Sequence, residues 1–180
     1  PENRRDIRAS GKLKFAGHVR IPKMAESIAF SKAASREQIY AEITPQIDAL
    51  IAGESDLIAN LANVAAVLEE AFSFFWVGFY LKKGDQLVLG PFQGPLACTR
   101  INFDEGVCGH AYSSLKTVVV PNVDEFPGHI ACSSASKSEI VVPMFDTAGK
   151  AAGVLDVDSD RLDDFSETDR LGLERIVHLL

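Results

Sequence analysis

Hydrophobic positions in the first half of the chain follow the period of helices. Ser35, with Gln38 three residues later, forms a capping-box pattern that is typical of a helix N-terminus. Apolar residues then recur every three or four positions from Ile39 to Leu50, which predicts an amphipathic helix. Pro45 lies inside this pattern, and we expect it to bend or divide the helix because proline removes a backbone donor.

A second apolar stripe begins after the sequence "GES" and predicts a helix that ends near Phe72. Its members are Leu57, Ile58, Leu61, Val64, Ala65 and Leu68. Beyond Phe72 the pattern changes to short aromatic and β-branched segments separated by turn signals, which is typical of strands.

We predict strands at 74–81, 86–90, 97–103, 117–120, 139–145 and 151–159, a short helix at 107–115, and a last helix from Ser166 through Leu180. The strand at 117–120 is stopped by Pro121, and a polar loop at 121–137 is long enough to be suspected as a site. Two helices, a run of strands interrupted by one short helix, and a final helix indicate an α+β fold with a central antiparallel sheet flanked by helices.

Charge divides the chain into two parts. Residues 1–23 carry seven basic and two acidic residues, a net charge of +5, so the remainder carries −12. We therefore expect residues 1–36 to be a disordered basic extension or a cloning remnant, with an organelle-targeting peptide as the alternative, and residues 37–180 to form a single domain. A body at −12 repels phosphate backbones, so no nucleic-acid partner is expected.

The number of cysteines and the hydropathy of the chain indicate its cellular compartment. Three cysteines, an odd number, argue against a secreted disulfide framework. No apolar run approaches the roughly 20 residues of a membrane helix. We therefore expect a cytoplasmic protein with no membrane partner.

The cysteines are candidates for chemistry. Cys132 is followed by small and charged residues, in a loop that cannot bury it. The alternative for each is a buried core thiol, which fits Cys108 at the start of a short helix and Cys98 at the start of a strand better than it fits Cys132. Their spacings match no zinc motif, although a site made of the cysteines with His110 and His129 stays open as an alternative.

Acidic and aromatic residues form two further groups on predicted strands. Asp156 and Asp158 are two apart, hence on one face, and Glu139 opens a neighbouring apolar strand. Buried carboxylates need a metal, an organic ammonium group or a shared proton. Trp76 and Tyr80 are four apart on one face, where they form either core or a wall for a sulfur or ammonium group.

Taken together, residues 37–180 resemble a GAF domain of the free methionine-(R)-sulfoxide reductase family. The resemblance rests on the segments "AGES", "FFWVGFYL", "LVLGPFQGPLACTRI", "GVCGHA", "GHIACSSASKSEIVVP" and "AAGVLDVDS". It implies reduction of free L-methionine-R-sulfoxide to L-methionine, with Cys132 as the nucleophile, Cys98 as the resolving thiol and Cys108 as an accessory or alternative resolving thiol.

The resemblance also implies a ligand set. The ammonium group of the substrate would meet Glu139, Asp156 and Asp158, one of which would be the general acid, and the substrate carboxylate would meet backbone N–H groups around Ile130, Ala131 and Cys132. The methyl sulfoxide would lie against Trp76 and Tyr80. Reducing equivalents would come from thioredoxin, with no bound cofactor and no metal.

Two other functions are compatible with these residues. A non-catalytic GAF module would bind a small ligand or sense oxidant through its thiols, and a zinc-binding protein is the third reading. A homodimer is compatible with the sequence but not specified by it.

Overall fold

Helices and strands follow one another in the order that the hydrophobic periods predict. The computed structural model describes residues 27–128 and 134–180. The helices are α1 (Arg36–Ile51), α2 (Leu57–Phe72), α3 (Gly106–Ser114) and α4 (Glu167–Val177), with a 3-10 turn at Val123–Glu125. The strands are β1 (Trp76–Lys83), β2 (Gln86–Gln93), β3 (Arg100–Asn102), β4 (Val118–Val120), β5 (Ser138–Phe145) and β6 (Ala151–Ser159).

The six strands form one antiparallel sheet in the order β3-β2-β1-β6-β5-β4. Side chains alternate across each strand, so the sheet has two distinct faces. Val77 and Phe79 of β1 enter the main core, which also contains buried residues of α1, α2 and α4. Trp76 and Tyr80 enter a second cluster, which α3 covers. The predicted α+β class and the sheet flanked by helices are confirmed.

The packed part of the chain begins before the predicted boundary at residue 37. Ile28 and Phe30 pack against the main core. The backbone of Ala29 is held at both ends by Gln46, which accepts from its N–H at 2.9 Å and donates to its carbonyl at 2.7 Å. Residues 1–26, which include the basic arm, lie outside the described residues.

Of the two effects predicted for Pro45, a bend or a division of the first helix, the division is wrong. α1 is continuous from Arg36 to Ile51, and it has the capping box of Ser35 and Gln38 that the sequence predicts. Pro45 and Ala41, whose carbonyl loses its usual N–H partner, are both exposed, so water can satisfy that carbonyl. Burial of the isoleucines on the opposite face holds the helix together across the proline.

Three other details of the predicted pattern are wrong. Leu57 and Ile58, the first two residues of α2, are predicted to lie in the buried stripe but are 41% and 50% exposed. The other members of the predicted stripe are buried, together with Val67 and Ala71. Strand β2 continues past the predicted end at residue 90, because a bulge opposite Phe79 accommodates Pro91. The last helix ends at Val177 rather than at residue 180.

No helix in the described ranges is long and apolar enough to cross a membrane.

Candidate active site

Strands β5 and β6 place the three predicted carboxylates on one face of the sheet. Asp158 pairs with Glu139 of β5 on one side and with Trp76 of β1 on the other. Asp156 follows on the same face, opposite Gly78. Glu139 and Asp156 are each only 6% exposed. The sheet register therefore brings together residues that are up to 82 positions apart in the sequence.

Helix α3 adds a thiol to this group. Cys108 is 3% exposed, and its Sγ lies 4.0 Å from Oε1 of Glu139. The helix approaches the sheet closely because Gly109 lacks a side chain: a Cβ at that position would lie 2.4 Å from the carbonyl oxygen of Asn102. The prediction of a buried thiol at position 108 is confirmed.

Burial controls the ionisation of this cluster. It raises the pKa of Glu139 and of Asp156 well above the usual range, and the negative charge of neighbouring carboxylates raises both further. Burial also raises the pKa of Asp158 to about 6, against the opposing effect of a hydrogen bond donated by the Ser136 hydroxyl. The Cys108 thiol has a strongly raised pKa because it is buried and faces carboxylates. It is therefore a poor nucleophile at neutral pH.

Trp76 and Tyr80 share one face of β1, as their spacing predicts, and they form an aromatic wall beside the carboxylates while also belonging to the second core cluster. The two rings stack with centroids 6.0 Å apart, and the ring of Phe92 also stacks on Trp76, with centroids 5.4 Å apart. Gly78 leaves room for the Trp76 ring, because a Cβ at position 78 would lie 2.5 Å from Cη2 of Trp76. The wall presents aromatic faces suited to a methyl, sulfur or ammonium group.

The polar ends of the wall hold the loop that carries Cys98. The Trp76 indole N–H donates to the carbonyl of Pro95 at 3.1 Å, and the Tyr80 hydroxyl donates to the carbonyl of Cys98 at 3.0 Å. Cys98 is half-buried and packs against the same cluster as the wall. Through these two hydrogen bonds, Trp76 and Tyr80 hold the loop of Cys98 against the wall.

A pocket joins the wall to the carboxylates. Its free volume is about 40 Å³, more than the roughly 10–15 Å³ that one water needs, so a small polar group fits at its acidic end. The described residues that line it include Glu105 but no lysine, arginine or histidine. The pocket is therefore negatively charged and suited to a cation.

The structure brings together six of the predicted site residues, namely Trp76, Tyr80, Cys108, Glu139, Asp156 and Asp158. Ile130, Ala131 and Cys132 lie outside the described residues, so their predicted roles stay predictions. His110, named in the zinc alternative, is exposed and meets the edge of Phe126 instead of joining the carboxylates.

Ser136 and Phe75 are two of the site residues that the sequence did not identify. Ser136 is buried and bonds Asp158, although in the sequence it is one serine among several in a polar loop. Phe75 lines the pocket from a position just before β1. Neither residue has a sequence signal of its own, because both depend on the loop conformations that bring them to the pocket.

The chain is similar to known proteins along most of its length. A family profile for the GAF domain matches residues 52–180. The chain is 56% identical over 158 residues to GAF domain-containing protein A of Dictyostelium discoideum, covering 87% of this chain and 99% of that protein. It is 43% identical over 144 residues to the free methionine-R-sulfoxide reductase of Escherichia coli, covering 79% and 87%.

A solved structure is similar as well. The X-ray structure of free methionine-R-sulfoxide reductase from Neisseria meningitidis, in complex with its substrate, superimposes with a TM-score of 0.82 at 55% identity. The alignment covers 85% of this chain and 92% of that one.

Proposed function

This chain belongs to the GAF domain family, and from that premise we propose that it reduces free L-methionine-R-sulfoxide to L-methionine. The observation that carries the proposal is the acidic pocket beside an aromatic wall. Its two ends match the two distinctive groups of the substrate, an α-ammonium and a methyl sulfoxide. Relatives and solved structures that bear the name of this reductase support the same activity.

The buried carboxylates explain a preference for the free amino acid. Glu139, Asp156 and Asp158 would pair with the α-ammonium group, which is absent when methionine is part of a polypeptide. A peptide substrate would leave their charges unpaired in a buried site, and such a mismatch discriminates strongly. The methyl sulfoxide would then lie against Trp76 and Tyr80, and the substrate carboxylate would accept from backbone N–H groups around Ile130 and Ala131.

Cys132 is the proposed nucleophile. Its thiolate attacks the sulfoxide sulfur, the sulfur–oxygen bond breaks, and the oxygen passes to Cys132 as a sulfenic acid while methionine leaves. The thiol of Cys98 then attacks the sulfenic sulfur, so that a disulfide forms and the oxygen leaves as water. Thioredoxin would reduce this disulfide by dithiol exchange, which makes a bound cofactor unnecessary.

The surroundings of the other groups favour two assignments. Cys108 is less suited than Cys98 to resolve the sulfenic acid, because burial among carboxylates keeps its thiol protonated. The proton needed by the departing oxygen would come from Glu139 or Asp156, because the raised pKa of each favours one proton shared by the two carboxyls, which leaves one charge of the pair for the ammonium group.

The test is turnover with a thioredoxin system. NADPH oxidation by thioredoxin reductase and thioredoxin is followed with free L-methionine-R-sulfoxide, with the S epimer and with N-acetylmethionine-R-sulfoxide. We expect oxidation with the first substrate alone. Binding of methionine sulfoxide without turnover would instead favour a non-catalytic ligand-binding or redox-sensing module.

Cysteine variants test the assigned roles. Without any reductant, Cys132→Ser should release no methionine. Cys98→Ser should release up to one equivalent and then stall as the sulfenic acid, which dithiothreitol can rescue. Cys108→Ser should be the mildest of the three. Methionine release by Cys132→Ser, or a mapped disulfide without Cys132, would contradict the mechanism.

A further inference from the structure

The buried thiol and two of the carboxylates have the donor set of a metal site. One donor atom each from Cys108, Glu139 and Asp156 lies within 4.8 Å of the other two. A tetrahedral zinc ion bound to one sulfur and two oxygens holds these donors about 3.4–3.6 Å apart. Side-chain rotations that close the group by roughly 1 Å would therefore complete the geometry.

A second observation indicates that this cluster is built to meet a cation. Oδ1 of Asp156 is buried and has no hydrogen-bond partner among the described residues, although the residue is only 6% exposed. Such an atom is costly in a folded protein unless a ligand satisfies it. The described lining of the pocket offers no basic side chain that could do so.

The Cys108 sulfur determines which metal cation fits this cluster best. Oxygen ligands alone would suit magnesium or calcium, whereas a thiolate with carboxylates suits a softer ion. Three protein ligands with a fourth position open to a pocket is the arrangement of zinc sites that keep an exchangeable ligand. Here the three ligands line the same pocket as Trp76 and Tyr80, so the space of that pocket would supply the open position.

We propose that Cys108, Glu139 and Asp156 bind a zinc-class divalent cation, which occupies the acidic end of the pocket and excludes the ammonium group of an amino acid. Metal binding by these three residues does not depend on the reductase activity. The competition with an amino acid rests on the proposed function. The two parts are therefore tested by separate measurements.

Cobalt(II) is the probe for the first part, because a cobalt–thiolate bond gives a charge-transfer band in the near ultraviolet. The protein carries Cys98→Ser and Cys132→Ser, so Cys108 is its only thiol. We expect the band to saturate at one equivalent of Co²⁺ and zinc to displace it. Adding Cys108→Ser should abolish the band, and adding Glu139→Gln should weaken Co²⁺ binding by at least about tenfold.

Near-ultraviolet circular dichroism checks that each variant is folded, and Cys108→Ala replaces Cys108→Ser if the latter is not. The matched control is Asp160→Asn, which changes an exposed carboxylate two residues after Asp158. This variant should bind Co²⁺ normally. No band in the protein with Cys108 as its only thiol, or a Glu139→Gln variant that binds as tightly as its parent, would overturn the site.

Competition is the second measurement. Free L-methionine should raise the apparent Kd for Co²⁺ more than an equal concentration of glycine, which chelates free Co²⁺ as well but has no side chain for the aromatic wall. If cobalt binds through Cys108 and methionine has no more effect than glycine, the metal site stands and its overlap with the amino-acid site is refuted. If cobalt does not bind but turnover occurs, the proposed function stands and the metal site fails.

Discussion

One hydroxyl group illustrates how single residues set the chemistry of this pocket. The Ser136 hydroxyl donates to Asp158 and keeps the pKa of that carboxyl lower than burial alone would. Asp158 consequently titrates at about 6 and is ionised at neutral pH. An ionised carboxylate is what an ammonium ligand requires.

Ser136→Ala should therefore move the pH dependence of substrate binding. Without the hydroxyl donor, the pKa of Asp158 rises, so the increase in KM on acidification should begin at a higher pH than in the wild type. KM is measured between pH 5 and 8, with Ser134→Ala, an exposed serine of the same loop, as the control. An equal rise in KM at every pH would indicate a merely structural role.

Removing charge from the pocket should weaken binding. Glu139→Gln and Asp156→Asn keep the shape of each side chain but delete a charge that would face the ammonium group. Losing such a charged contact costs about 2–5 kcal/mol, on the order of tens to thousands of fold in kcat/KM. Unchanged kcat/KM for the free amino acid in both variants would rule out the ammonium site, and Asp160→Asn again serves as the control.

At the scale of elements, α1 and α4 pack closely because α4 has a glycine at the contact. A Cβ at Gly172 would lie 2.5 Å from the ring of Tyr40. That ring cannot easily move, since its hydroxyl donates to Asp169 at 3.2 Å and its face packs on Phe72 with centroids 4.3 Å apart. Arg36 of α1 also reaches Asp169, at 2.9 Å.

Gly172→Ala should lower the free energy of unfolding. Overpacking against the fixed ring costs about 1–3 kcal/mol, which exceeds the roughly 1 kcal/mol that alanine gains over glycine in a helix. Urea unfolding followed by circular dichroism measures the difference. Gly53→Ala is the control, because a Cβ at Gly53 has no atom within 4 Å. A Gly172→Ala protein as stable as the wild type would show that α1 and α4 can separate at little cost.

At the scale of the whole molecule, the buried carboxylates make the fold less stable as they ionise. A raised pKa means that the folded state binds the proton more tightly than the unfolded state. For Asp158 the contribution is fully present below its unfolded pKa near 3.8 and is lost as pH rises to about 6. The site thus costs stability at the pH where it would bind its ligand.

Asp158→Asn should make the protein less sensitive to pH. Between pH 4 and 7 the wild type should lose roughly 1–3 kcal/mol more unfolding free energy than the variant, because asparagine cannot ionise. The measured quantity is the difference between wild-type and variant stability at each pH. Contributions from groups remote from Asp158 cancel in it, while those of Glu139 and Asp156, whose pKa values Asp158 helps to raise, change in the same direction. The unfolding free energy of the Asp160→Asn control should change with pH in parallel with that of the wild type. A constant difference across this range would contradict a raised pKa at Asp158.

Local patterns in the sequence determined the elements and most of their faces. The capping box at Ser35, the shared face of Trp76 and Tyr80, and the α+β order all follow from short-range periodicity, which the backbone imposes directly. Only the tertiary structure decided that Pro45 is tolerated, that Leu57 is exposed, and that Ser136 reaches Asp158. These depend on which surface each element packs against, and a period along the chain carries no information about its partner. The sequence likewise identified Cys108 and the carboxylates as candidates. Their arrangement around one pocket depends on the register of β1, β6 and β5 and on the position of α3 against the sheet, neither of which a local pattern specifies.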